Sequence, residues 1–356
     1  MKKLNLPHEI CEYACMWNGI DDLYEFKTGI RPPKYLFFGI SGFGNFVYLK
    51  NSKADVKRKV YMNNGLTKKM YDFMKDIINF DYKIIENNTF KYTLDTAKKE
   101  IDKGNPVVLG ALDIYYLKYF TKFYKKIHIP IHYVLMIGYN DEKGIVHVLD
   151  TDRKDSQIIP YKDLEKAMNI NVPGFSKKNT LFKINFANSI SSIKDIVYKG
   201  LKKKAYFNLN PPVSFMGING MRKFIREFPN WHKELEKAEF IDALKHLLEY
   251  TGFPPQLPTQ VSSNGNEEKT FSCAAARDKL AILLKYCSNE YNEPAWNETA
   301  EIFNESGKEI IKLSNVLTDF LINNKNELNI ITDIFLGIAI KEEKAYKIIY
   351  EYLKYK

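Results

Sequence analysis

The stretch HIPIHYVLMIGYNDEKGIVHVLDTD, residues 128–152, predicts an antiparallel β-hairpin. Its first apolar run is Tyr133 to Tyr139, and its second is Ile145 to Leu149. Between them lies a short polar turn, Asn140 to Gly144, that ends in glycine, the residue that tight turns favour. We therefore expect two neighbouring strands here, joined within a mainly antiparallel sheet.

His132 opens the first predicted strand, and Asp150 follows the second. Pairing across so short a turn brings both side chains to the open end of the hairpin. A carboxylate beside an imidazole fixes the ring tautomer and stabilises the imidazolium, which leaves the other ring nitrogen free to handle a proton. A histidine at the start of a strand can also be purely structural, so the chemical interpretation depends on a nucleophile elsewhere in the chain.

The N-terminal segment offers that nucleophile. Apolar residues recur at helical spacing from Cys15 to Lys27, and Gly29 and the Pro32-Pro33 pair end this predicted helix. Cys15 would then stand at a helix start, where unpaired amides and the positive end of the dipole favour a reactive thiolate. Cys11, about a turn earlier, is the alternative nucleophile. Either cysteine could instead be a small buried hydrophobe.

The composition limits the classes of protein. A chain of 356 residues suggests two domains, and it has no apolar run near the roughly 20 residues of a membrane helix. The first ten residues lack the apolar core of a signal peptide, so we expect a cytoplasmic protein. There is no CxxC pair, and Pro130 interrupts the spacing of His128 and His132, so neither a metal site nor another cofactor is expected.

The formal net charge of +10 predicts an acidic partner. The lysines are scattered along the chain, and no nucleic-acid-binding motif accompanies them, so nucleic acid is not the favoured partner. The richness in Lys, Asn and Ile also suggests an AT-rich genome, which raises the lysine content without a functional reason.

Strand and helix signals alternate up to about residue 187, and helical periods dominate after the polar segment NSISS, residues 188–192. We predict an α+β domain over 1–187 and an all-helical domain over 193–356 that closes over it. Within the first, Thr93 is predicted to cap a helix ahead of the buried strand VVLGALD, residues 107–113. Within the second, residues 254–269 are rich in Pro, Ser and Asn and predict a mobile loop, a candidate lid.

Two further segments could line a pocket. The glycine-rich SGFGN, residues 41–45, predicts a tight turn that lets backbone approach a site. The aromatic stretch from Tyr115 to Tyr124 is expected to pack in the core, although it could also form a wall for a long apolar substrate.

The order of these features resembles the papain-like cysteine peptidase fold, and more narrowly the H-type acyltransferases of butirosin biosynthesis. The resemblance rests on four motifs: Leu36-Phe37-Phe38-Gly39, Gly104-x-Pro106, Asp113-x-Tyr115-Tyr116-Leu117, and His132 to Tyr139. It is strong to about residue 160 and holds only in helical outline beyond 190. The chain is also similar to the closthioamide amide-forming enzyme of clostridia.

The resemblance implies Cys15 as nucleophile, His132 as base and acid, and Asp150 as the orienting acid. The residues it implies for substrate binding are Trp17, Asn18, Phe43, Asn45, Asp113, Tyr115 and Tyr116. The papain pattern has a glutamine a few residues before the cysteine as oxyanion donor, and this chain has none there. The Cys15 amide with Asn18 or Asn45 would have to take that role.

The function implied is acyl transfer. These acyltransferases take an acyl chain from the phosphopantetheine thioester of an acyl or peptidyl carrier protein and pass it to a small-molecule amine, in the biosynthesis of a specialised metabolite. Carrier proteins are typically acidic, which would give the basic surface a partner. The alternative is a papain-like cysteine peptidase, which would use the same triad in an open groove.

Overall fold

The computed structural model describes residues 1–10, 15, 19–42, 44–63, 67–151, 153–173, 175–252, 274–323 and 327–356. The chain divides into two compact units. The first holds the described residues of Met1–Pro32 and Leu66–Ile193, and the second those of Pro33–Gly65, Lys194–Thr259 and Thr270–Lys356. The first unit combines helices with an antiparallel sheet, and the second is mainly helical, so the α+β class with a helical C-terminal region is confirmed.

The described strands follow one another along the chain as β1 (Lys2–Lys3), β2 (Asn45–Lys50), β3 (Arg58–Asn63), β4 (Phe80–Ile85), β5 (Val107–Leu112), β6 (His132–Asn140), β7 (Ile145–Leu149), β8 (Gln157–Pro160) and β9 (Leu181–Phe186). The described sheet of the first unit has the order β4-β9-β5-β6-β7-β8, and β1 pairs with β6 at Gly138 and Tyr139. Each of these pairings is antiparallel. The central strand β5 is buried along its whole length, as its unbroken apolar run predicts.

The predicted hairpin is confirmed as β6 and β7. Asn140 pairs with Ile145 beside the turn, and Leu135 pairs with Leu149 near the open end. The register shifts between Met136 and Gly138, which marks a bulge in β6. Because the turn is short and polar, local sequence is enough to bring the start of β6 and the end of β7 to one edge of the sheet.

The described α-helices are α1 (Ile20–Thr28), α2 (Leu36–Ile40), α3 (Thr67–Ile78), α4 (Phe90–Asp102), α5 (Tyr161–Met168), α6 (Ile193–Leu209), α7 (Gly217–Glu227), α8 (Trp231–Glu234), α9 (Lys237–Tyr250), α10 (Arg277–Tyr291), α11 (Pro294–Asn323) and α12 (Ile331–Leu353). None of the helices in the described ranges is long and apolar enough to cross a membrane.

Two predicted helix starts were wrong. The helix expected from Cys15 begins at Ile20, after Gly19 in the left-handed conformation. The cap of α4 is Thr89, whose side chain accepts a hydrogen bond from the Tyr92 amide, and not Thr93. Thr93 lies inside the helix, is buried, and donates to the Asn179 carbonyl at 3.1 Å. Both errors have the same cause: apolar periodicity predicts which face of a helix is buried, but it does not predict at which residue the helix begins.

The second unit includes a hairpin that the sequence did not assign to it. Strands β2 and β3 pair there over their full length, and an aromatic cluster packs on β2. Phe46 makes edge contacts with Phe224 and Tyr250, at ring distances of 6.2 and 5.3 Å. Tyr48 stacks on Trp231 with ring centroids 6.0 Å apart, and the indole donates to its hydroxyl at 3.2 Å. The boundary predicted at residues 187–193 remains a prediction, and Pro33–Gly65 group with the C-terminal helices because of this packing.

A buried ion pair ties α10 to α12 in the second unit. The Arg277 guanidinium donates to both carboxylate oxygens of Glu342, at 2.7 and 3.0 Å. Ser306 donates to the same carboxylate at 2.6 Å, and Arg277 also donates to the Ala275 carbonyl at 2.8 Å. These bonds satisfy a charge pair that would otherwise be costly to bury.

Candidate functional site

The open end of the β6–β7 hairpin carries a buried imidazole–carboxylate pair. His132 Nε2 lies 2.7 Å from Asp150 Oδ2. His132 is 6% exposed and Asp150 is 0% exposed. The two side chains meet because His132 is the first residue of β6 and Asp150 directly follows β7, as the sequence predicts. With Nε2 held by the carboxylate, Nδ1 is the ring nitrogen left for a further partner.

Cys15 lies close to this pair. Its thiol is half-buried, and Sγ lies 3.8 Å from the carbonyl oxygen of Ile131, the residue before His132. Burial lowers the pKa of His132, but the charge and hydrogen bond of Asp150 outweigh it, and the hydrogen bond and charge of Cys15 add to them. The pKa of His132 is therefore well above its usual value, which favours an imidazolium beside the sulfur.

Tyr119, to which the sequence analysis assigned no role of its own, also contacts the His132–Asp150 pair. Its hydroxyl donates to Asp150 Oδ2 at 2.7 Å, the same oxygen that faces His132. The neighbouring Phe120 sets its ring edge-to-face against the His132 imidazole, with centroids 5.0 Å apart. Their place in the aromatic stretch was the available signal, but periodicity in an irregular loop does not say which tyrosine turns inward.

The rest of the aromatic stretch divides between core and loop. Phe120 and Phe123 are buried in the hydrophobic core of the first unit, whereas Tyr115 and Tyr116 are half-buried. Tyr115 stacks on the His128 imidazole with ring centroids 4.0 Å apart. Tyr115 and Tyr116, like the half-buried Tyr119 and Tyr124 of the same stretch, thus retain surface that a substrate could contact.

Asp113 fastens this loop. One carboxylate oxygen accepts from the amides of Tyr115 and Ile129, at 3.1 and 3.0 Å, and the other lies 2.6 Å from His128 Nδ1. The side chain is buried, and both of its oxygens are engaged by the protein itself. These contacts give Asp113 a structural role, and substrate binding by it stays a prediction.

The other predicted binding residues are less informative. Asn45 is buried in the second unit, where its side-chain oxygen accepts from Asn208 at 2.9 Å. Its proposed part in an oxyanion hole stays a prediction. Trp17, Asn18, Phe43 and the alternative nucleophile Cys11 lie outside the described residues, as does the candidate lid over 254–269.

A second histidine–aspartate pair anchors the segment that leads to Cys15. His8 Nδ1 lies 2.6 Å from Asp22 Oδ2 in α1, and Nε2 lies 2.8 Å from the Arg153 carbonyl. Burial lowers the pKa of His8, but the hydrogen bond and charge of Asp22 outweigh it, so its pKa is raised. Both partners are acceptors, so both ring nitrogens donate when the imidazole is protonated.

Within the ranges that the structure describes, no group of three or more His, Cys, Asp and Glu side chains is arranged to hold a metal ion. The donors around His132 are a thiol, an imidazole and one carboxylate that already accepts from a phenol. Such a set is suited to proton transfer and nucleophilic attack.

The site thus defines a class: an α+β protein with a cysteine beside a buried histidine–aspartate pair. Residues 14–151 match the family model described as Butirosin biosynthesis protein H, N-terminal. That match confirms the family resemblance, while the similarity to the closthioamide enzyme stays a prediction. Residues 162–251 match a domain of unknown function, and the boundary predicted near residue 187 lies inside that match. The search of curated proteins found no significant match to this chain.

Proposed function

We propose that this chain is a cysteine-dependent acyltransferase with a papain-like catalytic fold. It would take an acyl chain from the phosphopantetheine thioester of a carrier protein and pass it to an amine, forming an amide in the biosynthesis of a specialised metabolite. The observation that carries the proposal is the Cys15, His132 and Asp150 arrangement in a chain whose residues 14–151 match a family model named for butirosin biosynthesis. The catalytic role of each residue is part of the proposal.

In the first half-reaction, the Cys15 thiolate attacks the thioester carbonyl of the carrier. The bond from carbon to the pantetheine sulfur breaks, and the His132 imidazolium gives its proton to the departing thiol. Because one thioester replaces another, the exchange is nearly isoenergetic, and alignment of an ionised thiol supplies most of what is needed.

In the second half-reaction, an amine attacks the acyl-cysteine. Neutral His132 takes a proton from the attacking nitrogen, the carbon–sulfur bond breaks, and Cys15 leaves as a thiolate beside the imidazolium. Asp150 holds the ring so that Nδ1 faces the sulfur in both halves. The oxyanion of each tetrahedral intermediate needs hydrogen-bond donors, for which we propose the Cys15 amide.

Water competes with the amine, so a transferase must exclude it from the acyl-cysteine. The exposed parts of Tyr115 and Tyr116 would contact an apolar acyl chain. The net charge of +10 suits an acidic carrier protein, so transfer should slow as salt screens docking, with less effect on a short pantetheine thioester.

Intact mass spectrometry after incubation with an acylated carrier protein tests the proposal. The wild-type chain should gain the acyl mass, Cys15→Ala should gain none, and a diamine or aminoglycoside-like amine should discharge the adduct as an amide. Cys287→Ala is the matched control, because that cysteine is buried in α10 and burial raises its pKa to about 12.

The same protein should be offered a panel of peptides in parallel. Amide product that needs both the amine and Cys15 supports acyl transfer. Efficient peptide cleavage with no acyl adduct would refute it in favour of the cysteine peptidase, and an adduct that persists in Cys15→Ala would show that the nucleophile is another residue.

A further inference from the structure

We propose that Tyr119 is a positioning residue that sets the proton affinity of His132 through Asp150. The inference rests on the proposed function, because it assumes that His132 exchanges a proton with Cys15. It assigns a role to a side chain that never touches the reacting atoms. Its basis is the geometry of three groups, the phenol, the carboxylate and the imidazole.

The phenol and the imidazole share one carboxylate oxygen. Tyr119 Oη and His132 Nε2 each lie 2.7 Å from Asp150 Oδ2. A phenol with an ordinary pKa near 10 is protonated at neutral pH, so the hydroxyl donates and the carboxylate accepts. A hydrogen bond from a neutral donor to a buried carboxylate is charge-assisted, and it withdraws electron density from the oxygen that faces His132.

Arg153 holds this part of the loop in place. Its guanidinium carbon lies 4.7 Å from the centre of the Phe120 ring and 5.8 Å from that of Tyr119. One of its nitrogens also donates to the Tyr119 carbonyl at 3.3 Å. Because Phe120 packs its ring against His132, a single short segment supports the imidazole and supplies the donor to its carboxylate.

This arrangement suits a histidine that must both take and release a proton. Asp150 alone would hold the proton on His132 strongly, since the carboxylate is fully buried and lies at hydrogen-bond distance. Tyr119 weakens that hold by sharing the negative charge. The imidazolium can then protonate a leaving thiol without losing its orientation.

The test is Tyr119→Phe, which removes the hydroxyl and keeps the ring. The readout is alkylation of Cys15 by iodoacetate, followed by peptide mass mapping across a range of pH. The alkylation rate depends on the thiolate of Cys15, and a neighbouring imidazolium raises it further because iodoacetate is anionic. When the alkylation rate is plotted against pH, its falling limb at high pH therefore reports loss of the imidazolium proton. In Tyr119→Phe we expect that limb to move to higher pH by about one unit, because Asp150 then holds the imidazolium proton more strongly. A shift of that size corresponds to the free energy of about one charge-assisted hydrogen bond.

Tyr139→Phe is the matched control. That tyrosine also donates to a carboxylate, Asp102, at 2.8 Å, but it lies at the far end of β6 from His132. Its profile should equal that of the wild type. A limb that stays in place or moves to lower pH in Tyr119→Phe, with the thermal unfolding midpoint unchanged, would overturn the inference. Lower stability with an unshifted limb would do the same, because it would assign Tyr119 to packing alone.

The alkylation profile of His132→Ala separates this inference from the proposed function. If His132→Ala leaves the alkylation profile of Cys15 unchanged, the thiolate–imidazolium pair does not exist, and both proposals fail together. If His132→Ala removes the falling limb and Tyr119→Phe does not shift it, only the role of Tyr119 fails. The assay uses no acyl donor, so its result does not depend on which substrate the enzyme takes.

Discussion

Replacing Asp150 by Asn tests how far the charge of this buried carboxylate activates the site. The side chain is 0% exposed and its oxygen lies 2.7 Å from His132, so the substitution keeps the shape and the acceptor but removes the charge. A hydrogen bond that involves a charged group is worth about 1.5–3 kcal/mol, against about 0.5–1.5 kcal/mol for a neutral one. The difference, about 1–2 kcal/mol, lowers the pKa of His132 by about one unit.

Two measurements follow from that shift. The falling limb of the iodoacetate profile should move to lower pH in Asp150→Asn, opposite in direction to Tyr119→Phe. Turnover should fall about tenfold at pH values above the folded pKa of His132, where one pKa unit is a tenfold change in the protonated fraction, and should change little well below that pKa. Asp155→Asn, an exposed carboxylate in the loop after β7, is the control and should match the wild type in both measurements.

Stability should change with pH in the same experiment. The folded pKa of His132 is raised above its ordinary value of 6.5, so its contribution is fully present below about that pH and is lost as the pH rises through the folded pKa. The gap in denaturant midpoint between wild type and Asp150→Asn should narrow over that window. An unchanged limb, or a gap that widens with rising pH, would refute the assignment of Asp150 as the charged partner of His132.

Three more outcomes are expected. The raised pKa of His8 means that its stabilising contribution is lost as pH rises through the folded value, so His8→Gln should flatten the pH dependence of the urea midpoint above 6.5, and an unaltered slope would contradict this. Arg277→Met leaves a buried carboxylate without its partner and should cost about 3–5 kcal/mol in unfolding free energy, whereas Arg222→Met at an exposed ion pair should cost less than about 1 kcal/mol. Gly138→Ala would place a Cβ 2.5 Å from the Lys2 carbonyl and should free β1 for proteolysis, while Gly337→Ala, with nothing within 4 Å, should not; equal cleavage of the two would be evidence against the pairing of β1 with β6.

Short-range pattern was enough for much of the fold. The β6–β7 hairpin, β5 and the long C-terminal helices lie where apolar period and turn residues predict them. The pairing of His132 with Asp150 also follows from sequence, because a five-residue polar turn fixes which strand ends meet. Where the prediction depended on the end of a helix, as at Cys15 and Thr93, it was wrong, because capping is decided by a few local hydrogen bonds that periodicity does not report.

The sequence alone determined the net charge, most of the helices and strands apart from two helix starts, and which strand ends meet in one hairpin, since these features depend on composition or on neighbours a few residues apart. Only the tertiary structure decided that Cys15 lies beside Ile131, which is 116 residues further along the chain and directly precedes His132. It also decided that the Tyr119 hydroxyl reaches Asp150. It also decided that β2 and β3 join the C-terminal helices through Phe46 and Tyr48. Such contacts arise from the packing of surfaces that are far apart in the chain, and the loss of chain entropy on bringing them together is offset only by the burial of the assembled whole.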